Sequence, residues 1–253
     1  MKALFRHPVR VPFRLLWFLG ELALAAIDYA RMCGFASNCP RSKRAAWLQH
    51  SSRRILRIFK TEIKAVGSVP KSGLLVSNHL SYVDILVIST ITPATFVAKR
   101  EVKGWPIFGF FARIAGTVFV DRERRTRVGQ TTGEIETALK EGALIVLFPE
   151  GTSSNGETVL PFKSSLLEPA ARQTHALYAS HIQYNIDDGD VREEICYWRD
   201  EHTLFPHLIN LLSKKTIRAE VRFTLLREAS SDRKELAKQL HSEILRLKGA
   251  VAA

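Results

Sequence analysis

Short apolar runs and longer polar, helix-spaced stretches alternate along most of this chain. Leu74-Leu75-Val76 is apolar at consecutive positions and predicts a buried strand, and residues 117–120, 143–148, 176–184 and 216–225 read the same way. Residues 125–141 predict a helix stopped by Gly142, and residues 166–172 a short one. Ile85, Leu86 and Ile88 fit a helix that Ser81 can cap, and residues 205–212 form an apolar helix or loop. Leu236, Leu240, Ile244 and Leu247 mark one face of a C-terminal helix with Ser231 or Asp232 as its cap. Asp187-Asp188-Gly189-Asp190 reads as a surface turn. The alternation predicts an α/β domain, a mixed sheet flanked by helices.

The first 60 residues break this pattern. Spaced cations over residues 1–14 lead into an apolar stretch, 15–27, interrupted only by Gly20 and Glu21. That stretch is shorter than the ~20 residues of a perpendicular span, so it predicts an N-terminal membrane-associated helical element lying in the interface. A crossing helix, a cleaved leader and a core helix stay open as alternatives. Residues 1–60 carry twelve Lys or Arg and two acids, a net +10 out of the chain's +12. Cations from Arg41 to Lys60 would attract an anionic membrane surface by about 1 kcal/mol each when close to it. Nucleic acid is the weaker partner, because the basic cluster adjoins an apolar helix and no nucleic-acid motif is present. With 253 residues and 46% hydrophobic content the chain can build one large core. It divides into a basic, apolar membrane-associating region, 1–60, and a domain, 61–253. The three cysteines form no C-x-x-C, which predicts neither a structural disulfide nor a cysteine zinc site and fits a reducing, cytoplasmic-side location.

Among the eight histidines His79 alone has Asp five residues later. Two residues five apart on a continuous helix point roughly 140° away from each other, so His79 and Asp84 meet only across a break in regular structure. The strand before them and the helix after them supply that break. A histidine whose proton is placed by a carboxylate is a general base suited to neutral pH, with an alcohol as its natural client. No G-x-S-x-G elbow is present and no cysteine adjoins a histidine in sequence, so direct attack by a bound hydroxyl is the economical chemistry. Asp84 also lies three residues after Ser81 and fits a capping-box acid.

Asn78-His79 with Asp84, then Gly116-Thr117-Val118-Phe119-Val120-Asp121-Arg122, then Phe148-Pro149-Glu150-Gly151-Thr152 strongly resemble, in order and spacing, the motifs of the glycerolipid acyltransferases, the lysophosphatidic acid acyltransferase family. Lys99 with residues 104–109, and Leu160-Pro161-Phe162-Lys163, add to a likeness that covers about residues 70 to 185. The resemblance implies an O-acyltransferase of phospholipid biosynthesis that moves a fatty acyl group from acyl-CoA or acyl-carrier protein to the free hydroxyl of a lysolipid. The expected acceptor is 1-acylglycerol-3-phosphate, the family's commonest, giving phosphatidic acid, and a lyso-ornithine lipid or another lysophospholipid is the alternative. By that likeness His79 and Asp84 are catalytic, and Lys99, Arg122, Glu150, Gly151 and Thr152 bind the acceptor. No covalent acyl-enzyme, metal or cofactor is implied, and the enzyme works on the cytoplasmic side of a membrane. Two positions depart from the family. Ser153 stands where phosphate-binding members have Arg, and the fourth motif, residues 176–184, lacks its proline and receives no catalytic assignment. A membrane-bound esterase and a basic binding protein are the rival classes; the first would release fatty acid without an acceptor and the second would turn over nothing.

Overall fold

Every residue of β2 (Gly73–Ser77) is buried, and its side chains alternate between two cores, Leu75 in one and Leu74 and Val76 in the other. A strand covered on both faces has no solvent side, hence its unbroken apolar sequence. β5 (Leu144–Leu147) repeats the pattern and lies parallel to β2, with Val76 opposite Leu147. The other strands are β1 (Thr61–Gly67), β3 (Thr95–Lys99), β4 (Val118–Val120), β6 (Leu177–Ile186) and β7 (Ile217–Leu226). This is a computed structural model and describes residues 7, 9–34, 39–120, 125–172, 175–198 and 203–250, with the side chains of residues 125–132 outside the description. The strand order is β1-β7-β6-β2-β5-β3-β4. Every neighbouring pair is parallel except β6 with β7. The sheet is therefore mixed, as expected, and the C-terminal ends of β2, β3, β4, β5 and β6 share one edge.

Nine α-helices surround the sheet among the described residues: α1 (Arg10–Cys33), α2 (Arg41–Ile58), α3 (Val83–Ile91), α4 (Phe108–Ile114), α5 (Arg125–Lys140), α6 (Glu168–Ala171), α7 (Val191–Glu194), α8 (Leu204–Ser213) and α9 (Arg233–Gly249). Residues of α1, α2, α3 and α8 fill the core on the Leu75 side, and residues of α5 and α9 the core on the Leu74 side. Asp232 caps α9 by accepting from the amides of Lys234 at 2.8 Å and Glu235 at 3.0 Å. β1 and β3 are strands that the apolar pattern did not mark. β1 sits at the sheet edge, where Thr61, Glu62 and Lys64 interrupt its apolar residues.

The N-terminal helices are built into this structure. Val11 and Phe18 of α1 and Ile55, Leu56 and Ile58 of α2 belong to the same core as Leu75. Residue 60 is the turn between α2 and β1, so the two sides of that division share one core. Glu21 and Asp28, the two acids of this region, both pair with Arg54, at 2.8 and 2.6 Å. Arg14 is buried and donates to the carbonyl of Leu212 at 3.1 Å. The outer side of α1 is apolar, with Phe13 64%, Leu16 71%, Leu24 48% and Ile27 45% exposed. No helix among the described residues is long and apolar enough to cross a membrane.

The cysteine expectation is corrected here. Cys33, at the end of α1, and Cys39, just before α2, form a disulfide, their Cα atoms 5.1 Å apart. The chain folds back between the two helices, and a six-residue separation across a helical hairpin is invisible to a search for C-x-x-C. The reducing location inferred from cysteine usage loses that support. Cys196 is free and buried.

Candidate active site

The last paired residue of β2, Ser77, faces Ser180 of β6. Beyond it the side chain of Asn78 takes over the ladder, its Nδ2 donating to the carbonyl of Ile182 at 3.0 Å and its Oδ1 accepting from the amide of Ile182 at 2.7 Å. A carboxamide is suited to this because it holds one donor and one acceptor side by side, like a peptide group. The main chain is thereby released to turn at His79, where the predicted break between strand and helix falls.

His79 and Asp84 meet across that break. His79 Nδ1 lies 2.8 Å from Asp84 Oδ2. The same oxygen accepts from the amides of Leu80 at 2.7 Å and Ser81 at 3.0 Å. Asp84 thus orients the histidine and caps the helix entrance at once; the two readings of its spacing describe one carboxylate. Its other oxygen accepts from the hydroxyl of Tyr184 at 2.6 Å, which completes the pairing of a group with no solvent exposure. With Nδ1–H donated to Asp84, the neutral imidazole carries its lone pair on Nε2, and the side chain is 20% exposed. Phe148 stacks on the ring, with centroids 4.1 Å apart and planes 18° off parallel. The hydroxyl of Ser81 gives only a 3.4 Å contact to the amide of Val83, a weak cap.

The Gly turn after β5 closes on the same loop. Glu150 is buried, and its two oxygens accept from the amides of His79 at 2.8 Å and Leu160 at 3.1 Å. Burial is the main influence on its carboxyl and pushes it up to about 7, against the pull of the two amides. Gly151 has φ +75, the left-handed region where a side chain would be strained. Thr152 is exposed next to it. Ser153 donates its hydroxyl to the carbonyl of Tyr197. The amide of Ser154 donates to the carbonyl of His79 at 2.8 Å, and that of Tyr197 to the carbonyl of Leu80 at 2.8 Å.

Of the residues singled out in the sequence, the structure brings His79, Asp84 and Glu150 into one network. Gly151 and Thr152 lie in the adjoining turn. Lys99 is exposed at the end of β3, opposite Val120 in the register and on the same sheet edge. Arg122 lies outside the described residues. Tyr184 was missed, although a period of two places it with Ile182 on the buried side of β6, where a tyrosine hydroxyl needs a partner. Cys196 offers no nucleophile: burial foremost, then Asp84, Asp190 and Glu193, push its thiol up to about 12. Among the described residues no cluster of His, Cys, Asp and Glu could hold a metal ion.

A histidine held by a carboxylate and partly exposed at the C-terminal edge of a mostly parallel sheet is an arrangement suited to general-base chemistry. Comparison with known proteins narrows the class. A model of the family described as Acyltransferase matches residues 60–182. The lyso-ornithine lipid O-acyltransferase of Brucella abortus is 36% identical over 76% of this chain and 78% of its own. The 1-acyl-sn-glycerol-3-phosphate acyltransferase of Neisseria meningitidis is 28% identical over 83% of this chain and 84% of its own. The crystal structure of the 1-acyl-sn-glycerophosphate acyltransferase PlsC from Thermotoga maritima has the same fold, with a TM-score of 0.63 at 18% identity over 97% of this chain and 98% of that one. The chain belongs to the acyltransferase family of lipid biosynthesis, as its motifs led one to expect.

Proposed function

We propose that the protein transfers a fatty acyl group from a thioester donor, acyl-CoA or acyl-carrier protein, to the free hydroxyl of a lysolipid. The 2.8 Å contact between His79 Nδ1 and Asp84 carries this reading. His79 Nε2 removes the hydroxyl proton as the oxygen attacks the thioester carbonyl, and Asp84 stabilises the imidazolium that forms. When the tetrahedral intermediate collapses, the C–S bond breaks and the imidazolium returns the proton to the leaving thiolate. Glu150 acts on His79 through its amide, holding the loop from below. Gly151, Thr152 and Lys99 lie at the same edge and hold the acceptor, a role the motif likeness extends to Arg122.

The acceptor we favour is a lyso-ornithine lipid. Ser153 supplies no cation where a phosphate monoester would call for an arginine fork, and it is engaged with a main-chain carbonyl. Two lyso-ornithine lipid O-acyltransferases, from Brucella abortus and Rhizobium meliloti, are 36% and 34% identical to this chain, against 28% for the phosphate-acceptor relative from Neisseria meningitidis. Lys99 and Arg122 favour the second reading, 1-acylglycerol-3-phosphate, since both could meet a phosphate. Initial rates of the purified enzyme on both acceptors with one thioester donor test the choice. A kcat/KM for 1-acylglycerol-3-phosphate above that for the lyso-ornithine lipid reverses it.

The apolar outer side of α1, backed by the exposed cations Lys43, Arg53, Arg57 and Lys60, supports a location on an anionic membrane surface, α1 lying in the interface. A thioester donor made in the cytoplasm places that surface on the cytoplasmic side.

A further inference from the structure

Asp84 is fully buried and takes four hydrogen bonds. Three come from its own loop: the ring of His79 and the amides of Leu80 and Ser81 all converge on Oδ2. The fourth comes from another element, the hydroxyl of Tyr184 on β6, which donates to Oδ1 at 2.6 Å. We propose that Tyr184 is a positioning residue of the acyl-transfer reaction, fixing the rotation of the Asp84 carboxylate so that Oδ2 stays on His79. The proposal rests on the reading of His79 as the base.

The geometry explains the need. A carboxylate with donors on one oxygen only can swing about its last torsion, a broad and nearly two-fold one, and drag the imidazole with it. A donor on the second oxygen closes that freedom. It also satisfies an acceptor that burial would otherwise leave bare, and hydrogen bonds to the charged form favour that form. Asn78 sets the arrangement up, since its pair of hydrogen bonds to Ile182 holds β6 in register two residues before Tyr184. Burial and the Asp84 charge raise the Tyr184 hydroxyl well above its usual range, so it remains a donor. The titratable groups facing Asp84 are His79 in its own loop, Tyr184 from β6, Glu150 after β5 and Cys196 after α7. Cys196 and Tyr184 stay protonated near neutral pH and take no part in the acidic limb of the rate profile.

Tyr184→Phe removes the hydroxyl and keeps the ring. We expect kcat to fall about tenfold, the scale of one charge-assisted hydrogen bond, with KM for donor and acceptor unchanged. The acidic limb moves to higher pH, because the deprotonated dyad, whose carboxylate charge is not offset by an imidazolium, loses more from the missing donor than the protonated dyad does. The ¹⁵N shift of the His79 ring, followed through the same titration, separates this movement from Glu150. If the Phe variant does not fold, a fluorinated tyrosine at 184 decides the matter, since it keeps size and hydroxyl while donating more strongly and moves the limb to lower pH. An unmoved limb in the folded variants, or a loss confined to KM, overturns the role of Tyr184. Activity surviving in His79→Ala overturns the reading beneath it, whereas an inactive His79→Ala beside an unmoved Tyr184 series removes only the positioning role.

Discussion

The loop from Asn78 to Asp84 and the outer side of α1 satisfy their surroundings in opposite ways. In the loop the polar groups are matched atom to atom: Asn78 to Ile182, Asp84 to four donors, the amide of His79 to Glu150 and its carbonyl to Ser154. On α1 the polar contacts point inward, through Arg14 to Leu212 and Glu21 to Arg54, while Phe13, Leu16, Leu24 and Ile27 face out. With Val11 and Phe18 in the core, α1 is apolar on its outer side as well, where a helix folded against water is polar. The difference separates two kinds of requirement. Proton transfer needs particular atoms within a few tenths of an ångström, whereas a lipid surface needs only apolar area, shared among many side chains.

A direct way to break this comparison is to delete the base. His79→Ala is expected to reduce acyl transfer by about 10² to 10⁴ with flotation on anionic liposomes unchanged; residual turnover near wild type, measured as thiol release, would falsify the mechanism. Glu150→Gln sharpens it from behind, since an amide offers one acceptor where two amides call for one each. Its kcat is expected to drop by about ten- to a hundredfold, more than removal of a single neutral hydrogen bond, because the remaining amide meets a donor. On α1 the effects are expected to be small singly and large together. Phe13→Ser, Leu16→Ser and Leu24→Ser each weaken liposome partitioning about three- to tenfold, the triple variant no longer floats, and kcat in detergent micelles is retained; a single substitution that abolished flotation would show that α1 docks specifically rather than by area. Ser153→Arg is expected to move the kcat/KM ratio only a few-fold toward 1-acylglycerol-3-phosphate, as one exposed charge adds little without its supporting shell.

The smallest effect is a tilt of stability with pH. The Glu150 carboxyl sits above its unfolded value, so the folded protein holds that proton more tightly. Its stabilising contribution is present in full below the unfolded value, near 4.5, and is lost as pH rises through about 7. Melting temperature measured across this window is expected to fall more in the wild type than in Glu150→Gln, and parallel curves would assign the tilt to another group.

Much of this molecule is legible before folding. Leu74-Leu75-Val76 and residues 144–147 announce buried strands because a strand covered on both faces tolerates no polar alternation. Asp232 marks a helix start because its carboxylate can reach only amides two and three residues on. β1 escaped notice because an edge strand can be polar, and the disulfide because Cys33 and Cys39 meet through a helical hairpin. The candidate site divides along the same line. His79 and Asp84 lie five residues apart, and that spacing already implies that they can pair and that the chain must bend between them. Tyr184 is 100 residues from Asp84, and Glu150 is 71 from His79. Those contacts arise only in the folded chain, because they depend on β2 lying between β5 and β6, and strand order is set by the packing of two whole cores and leaves no mark on any one segment.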